Sequence, residues 1–363
     1  MSHLRSSPNE PSMRHNLPSQ ATVLIGRERE IATLREWLLD GGPRLVTLTG
    51  PGGTGKTRVA LATAERVADT FGDGVWVDLT SLREPDLVLP AIARSFGFMD
   101  QVGQALERQL VSYLADAKLL LVLDNFEQVL PAGSILSRLF AGAPGLKVLV
   151  TSREPLQVSW EREFPIPPLP VPDLSRPVPP EVLGAVPSVA LFVQRTRAVA
   201  PEFRLSEKNA RTVAELCARL DGLPLATELA AARSRVLPVD EILRRLSNRL
   251  VFLTGGARDQ PARHRTLRAA IEWSYDLLTP AERALFRQLG LLVGTWSLAA
   301  ASAVVDPLGA SAEAGDAAQL LLDGVGSLVD KNLVRADAHV AGRCSSVGRT
   351  TPCRSRARCS TSR

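Results

Sequence analysis

Ile31, Leu34, Trp37 and Leu38 recur at the spacing that places apolar side chains on one face of a helix, and the run that follows, Leu45 to Thr49, is short, β-rich and closed by glycines. Strand-like runs return at Val75 to Leu79, Leu119 to Leu123 and Lys147 to Thr151, each separated by a stretch long enough for a crossover helix. Alternation of this kind implies a parallel, doubly wound sheet covered on both faces. Nine prolines then fall between Pro165 and Pro187. They deny that segment both helix and interior strand and mark a domain boundary.

Beyond the boundary the pattern turns helical. Val213, Leu216, Cys217 and Leu220 fall at i, i+3, i+4 and i+7, and Ile242, Leu243, Leu246 and Leu250 repeat the rhythm. A third unit follows, in which Thr279, Pro280 and Glu282 have the form of a capping box with proline at the first helical position. Leu285, Phe286 and Leu289 face its core, a turn spans Gly294 to Ser297, and two helix-like runs lead to a short strand at Leu333 and Val334, an order compatible with a winged helix. The expected organisation is a disordered leader (1–20), a nucleotide-binding α/β domain (21–164), a Pro-rich linker (165–187), an all-α helical domain (188–257), a winged-helix domain (258–338) and a basic unstructured tail (339–363). No internal repeat interrupts this order.

Composition narrows the class. With 45% hydrophobic and 22% charged residues in 363, the chain is neither a disordered polymer nor a membrane bundle. Its longest uncharged apolar stretch, Leu289 to Val305, is broken by Gly290, Gly294 and Ser297 and falls short of the ~20 residues a span needs. The first residues lack the apolar core of a signal peptide, so the expected location is the cytoplasm, with no membrane partner. The net charge of +5 points to nucleic acid until it is located. Six arginines (Arg343, Arg349, Arg354, Arg356, Arg358 and Arg363) lie after Ala341 without any acid, which leaves the remainder one charge negative. Three of the four cysteines lie in the same tail, without zinc-site spacing, and Cys217 reads as a buried thiol. The abrupt change to Arg, Ser, Thr, Cys and Pro is what GC-rich codons give in a shifted frame, so a truncated or out-of-frame ending is the expectation there.

Candidate chemistry concentrates at Gly50 to Thr57, GPGGTGKT, which matches G-x4-G-K-[ST] and sits between a strand and an apolar-periodic helix, where a phosphate loop must sit. Backbone N–H groups from Gly50, Gly52, Gly53, Thr54 and Gly55 are expected to wrap the phosphates of ATP or ADP at a helix N-terminus. Lys56 reaches the β- and γ-phosphates and the Thr57 hydroxyl ligates Mg²⁺. Asp124, at the end of Leu119 to Leu123, supplies the acid of the Mg²⁺ shell. The next position is Asn125, and an amide takes no proton from water, so slow hydrolysis is expected. Glu127 is the alternative base, disfavoured because a short shift along the chain redirects the side chain.

With these residues in place the chain resembles the STAND class of P-loop NTPases, the NB-ARC-like signalling ATPases, and within it the large bacterial transcriptional regulators. The matching segments are Leu24 to Glu28 (LIGRE), the phosphate loop, Leu123 to Glu127 (LDNFE), Val150 to Glu154 (VTSRE), Gly222 to Ala226 (GLPLA) and Arg265 to Leu278. The resemblance implies that Arg153 senses the γ-phosphate, that Arg27 and Pro224 line the adenosine side, and that three domains close around the nucleotide. It implies a switch in transcriptional regulation: ADP holds the closed form, and ATP opens it with self-association as one consequence. The rival is a winged-helix DNA reader, for which Arg258, Arg263, Arg265, Arg268, Arg283 and Arg287 supply charge but no clean basic face. The family's later histidine motif and repeats find no match after Ala341.

Overall fold

The structure is a computed structural model and describes residues 16–39, 41–71, 73–98, 103–246, 253, 266–292, 294–305, 314–337 and 343–346. The first body contains α1 (Glu28–Leu39), β1 (Leu45–Thr49), α2 (Lys56–Phe71), β2 (Asp73–Asp78), α3 (Val88–Ser95), α4 (Gly103–Leu114), β3 (Leu119–Asp124), α5 (Gly133–Gly142), β4 (Leu146–Thr151) and β5 (Glu161–Pro165). All five strands run parallel in the order β2-β3-β4-β1-β5. Leu119, Leu121 and Leu123 enter the core on one face of the sheet, and Leu120 and Val122 enter the core on the other. Side chains alternate along a strand, so a sheet covered on both faces needs apolar residues at every position, which is what made these runs readable.

The fifth strand was not foreseen. β5 pairs only with β1, and its Glu161, Arg162 and Glu163 belong to an edge, where polar side chains meet water and the apolar signal is lost. The leader is also shorter than expected. The side chain of Asn16 donates to Trp76 O at 2.9 Å and accepts from Trp76 N at 2.6 Å, covering the outer edge of β2, while Leu17 packs on the core. Residues 1–15 of the expected leader lie outside the described residues.

The linker does contain helix. α6 (Pro180–Leu183) carries proline in its first turn, and α7 (Pro187–Val199) also opens on proline, positions where the missing N–H has no intrahelical partner to lose. With α8 (Glu207–Arg219), α9 (Pro224–Arg233) and α10 (Val239–Arg245) they form the second body. Its core holds the foreseen stripe of Val213, Leu216, Cys217 and Leu220. Burial pushes the Cys217 thiol up to about 12, so it is an inert core group. Leu250 and the cluster from Arg258 to Arg265 lie outside the described residues.

The third body contains α11 (Leu267–Asp276), α12 (Pro280–Leu289), β6 (Thr295–Ser297), α13 (Leu298–Val304), α14 (Ala314–Asp330), β7 (Val334–Asp337) and β8 (Arg343–Ser346). Leu267 and Ala270 of α11 belong to the core of the second body, whereas Tyr275 packs against that of the third, so α11 is built into both. The capping box forms as read: Thr279 Oγ1 accepts from Glu282 N at 3.3 Å and Glu282 Oε2 accepts from Thr279 N at 2.8 Å. Where a turn was expected at Gly294 to Ser297, β6 forms. It joins an antiparallel sheet of order β6-β8-β7. The reading of 339–363 as unstructured fails at Arg343–Ser346, which is the middle strand of that sheet. Backbone pairing with two neighbours needs no apolar period, so composition did not disclose it.

Candidate nucleotide site

A cavity of about 350 Å³ lies at the carboxyl ends of the central strands, where open α/β sheets bind ligands. Of the residues singled out from sequence, Arg27, Gly52, Gly53, Thr54, Gly55, Lys56, Thr57, Asp124, Arg153 and Pro224 all line it. Gly50 does not. Its φ is +143°, and a Cβ there would stand 2.7 Å from Ile166 O, so this glycine makes room for the chain leaving β5. Gly53 and Gly55 hold φ of +83° and +93°, left-handed conformations that turn the loop around the cavity.

Lys56 Nζ donates to Gly50 O at 2.7 Å and to Pro51 O at 3.2 Å, holding the loop closed on itself. Thr57 Oγ1 donates to Asp124 Oδ1 at 2.8 Å, and Thr151 Oγ1 donates to the same oxygen. Burial pushes the Asp124 carboxyl up, the two hydroxyls pull it back, and Asp78 and Glu127 raise it again, to about 6. A threonine hydroxyl beside a buried carboxylate with no cationic partner among the described residues is a hard-oxygen donor set, and it fits Mg²⁺. Thr57 and Asp124 would hold that ion, which neutralises phosphate charge when bound.

Asn125 adopts φ 65° and ψ 48°, and its Nδ2 donates to Asp124 Oδ2 at 2.7 Å and to Thr80 Oγ1 at 2.9 Å. Its amide therefore braces Asp124. The left-handed turn at Asn125 leads into a 3-10 turn, Phe126–Gln128, whose Phe126 is fully buried. That reversal returns Glu127 to the cavity wall, against the expectation that two residues of offset would redirect it. Glu127 Oε1 accepts from Arg153 Nε at 3.2 Å, with both side chains buried. The sequence held a signal for this, since Asn is the residue type that most readily takes a left-handed conformation after glycine.

Arg27 is 2% exposed and its guanidinium donates to Glu30 Oε1 at 2.7 Å, Pro167 O at 2.6 Å and Thr54 O at 3.2 Å. It ties the α1 entry, the phosphate loop and the linker together. The second body reaches the loop through Leu225 N, which donates to Gly53 O at 3.2 Å beside Pro224. Leu24, Ile25, Leu169, Leu191 and Leu225 give that end of the cavity an apolar wall, which suits a base. The third body reaches the opposite side: Asn332 Nδ2 donates to Arg153 O at 2.6 Å. Leu225 lies within the Gly222 to Ala226 segment singled out from sequence, whereas Asn332 carries no motif that would have marked it.

The parallel sheet and its phosphate loop define a P-loop ATPase fold, and residues 23–150 match the family described as an AAA ATPase domain. An uncharacterised Mycobacterium tuberculosis protein is 36% identical over 82% of this chain and 72% of its own length. A candidate HTH-type transcriptional regulator of the same organism is 38% identical over 81% of this chain, and the regulatory protein AfsR of Streptomyces coelicolor is 32% identical over 80%. The chain belongs to the same family as this uncharacterised protein, and the two regulators are similar to it over a comparable share of the chain. It spans about a third of the length of the HTH-type regulators it matches, 31%, and 27% of AfsR. Among solved structures, a STAND ATPase with a tetratricopeptide repeat sensor from Pyrococcus horikoshii aligns over 92% of this chain and 43% of its own at 15% identity, with a TM-score of 0.39.

Proposed function

We propose that the chain is an ATP/ADP-binding switch of the STAND type acting in transcriptional regulation, with slow or no intrinsic hydrolysis. The observation that carries this reading is convergence: the second body touches the phosphate loop at Gly53 and the third holds the carbonyl of Arg153, so a ligand in the cavity meets the first two bodies directly and the third through Arg153. Differential affinity of ATP and ADP for closed and open arrangements then moves the equilibrium, and hydrolysis need only reset it. Self-association of the ATP form is part of the proposal. Bracing of Asp124 by Asn125 leaves no carboxylate directly after the metal-site acid, which supports slow turnover, well below the ~10 s⁻¹ median of enzymes.

The third body supports the switch over the DNA reader. Its order α12-β6-α13-α14-β7-β8 and sheet β6-β8-β7 support the winged-helix reading, in which α14 would take the place of the helix that reads DNA. That helix carries Asp316, Asp323 and Asp330 and no lysine or arginine. A phosphate backbone repels such a surface.

The test is thermal. ATP or ADP with Mg²⁺ at about 100 times Kd should add ~2.7 kcal/mol to folded-state stability. Lys56→Ala should abolish that gain while leaving the unliganded melting temperature within a few degrees. Equal gains in both proteins would overturn the assignment.

A further inference from the structure

Glu127 is 7% exposed and its Oε1 accepts from Arg153 Nε; its second carboxylate oxygen, Oε2, has no hydrogen-bond partner among the described residues. A buried carboxylate oxygen without a donor is costly, and proteins keep such groups mainly where a ligand or a changing partner uses them. The carboxylate cannot retreat, because Phe126 beside it is anchored in the core and the left-handed Asn125 fixes the turn. Arg153 stands against the phosphate loop, its Nη2 within 3.3 Å of where a Gly52 Cβ would be, and shares the cavity with Lys56 and Asp124.

We infer that Glu127 is the specificity-determining residue of the nucleotide site, an internal counter-ion that occupies Arg153 and thereby disfavours a terminal γ-phosphate relative to a diphosphate. The inference rests on the proposed nucleotide reading and adds to it which group sets the ADP preference. ADP leaves the Glu127–Arg153 pair intact. A triphosphate brings an additional charged phosphoryl group toward the loop face of Arg153, where it competes with the carboxylate for the guanidinium and is repelled by Oε2. Because the opposing charge is built into the wall, the resting state is weighted to ADP, and ATP must displace a pre-formed ion pair before Arg153 can answer it. The same Arg153 offers its carbonyl to Asn332, so turning that residue also loads the contact that holds the third body.

Glu127→Gln keeps the volume and the oxygen that accepts from Nε but removes the charge. Kd values for Mg-ADP and for Mg-AMP-PNP, a triphosphate that is not hydrolysed, are measured by calorimetry on the full chain. The expected result is an unchanged ADP affinity, within about twofold, and triphosphate binding tightened about tenfold, a usual size for coupling between two groups. A purely structural role would weaken both nucleotides together. An unchanged ratio of the two Kd values with intact ADP binding overturns this inference alone, whereas absence of ADP binding to the wild-type chain overturns the nucleotide reading and this inference with it. Should the Gln variant fail to fold, Glu127→Asp withdraws the carboxylate by one methylene and must shift the ratio in the same direction; no shift there overturns the inference equally.

Discussion

Glu154 follows Arg153 and is the residue through which pH should reach the interdomain contact. Burial pushes its carboxyl up, Lys331 opposes this, and Glu282, Glu127 and Asp330 raise it further, to about 7. A carboxyl raised above its unfolded value binds its proton more tightly in the folded chain, so its contribution is complete below about pH 4.5 and is lost as pH rises through about 7. Glu154→Gln should therefore stabilise the chain relative to wild type at pH 8 and be nearly neutral at pH 5. Melting temperatures of both proteins across that window check the sign. Parallel curves would show that Glu154 is not held by the third body. The chemistry at this scale was legible where backbone spacing alone fixes it: the loop, Lys56, Thr57 and Asp124 are set by strand, turn and helix. Glu127 and Asn332 were not, because each depends on a single left-handed residue, Asn125 at φ 65° and Asn332 at φ 55°, that reverses the chain.

Elements meet through backbone as much as through side chains. Gly222 holds φ +65°, its carbonyl accepts from Leu169 N at 2.9 Å, and a Cβ there would lie 2.0 Å from Leu169 O. This joins the Pro-rich linker to the start of α9, so Gly222→Ala should cost about 1–3 kcal/mol and loosen Leu225 from the phosphate loop. Denaturant midpoints and nucleotide affinity should fall together; a neutral substitution would mean the junction yields. The parallel core strands and the helical stripes were readable because burial on both faces or one stripe imposes a period. β5 escaped as a charged edge, and β8 as a strand whose sequence carries no apolar pattern. A further expectation follows for β8. Truncation before Arg343 removes the strand between β6 and β7 and should lower the melting temperature, whereas truncation after Ser346 should leave it near wild type. Equal melting temperatures for the two truncations would show that β8 adds nothing to stability.

On the scale of the whole molecule, the question is where its positive charge acts. On the third body the acids of α14 and the pairs of Arg268 with Glu272 and Lys331 with Glu282 offset part of the basic charge. The arginines beyond β8, Arg349, Arg354, Arg356, Arg358 and Arg363, have no acid near them in sequence. Random duplex DNA should therefore bind weakly through those five, with log Kobs falling against log salt at a slope of no more than about −4.5, and without sequence preference. Replacing the five by serine should abolish the binding and leave nucleotide affinity unchanged, since the Gly53 and Arg153 contacts are made by Leu225 and Asn332. The measurement is fluorescence anisotropy with several duplexes between 50 and 300 mM salt, a range over which a term of this size falls by about three orders of magnitude. Selective binding that survives both high salt and the serine replacements would place a DNA-reading surface on the third body, and the switch would then act on DNA directly.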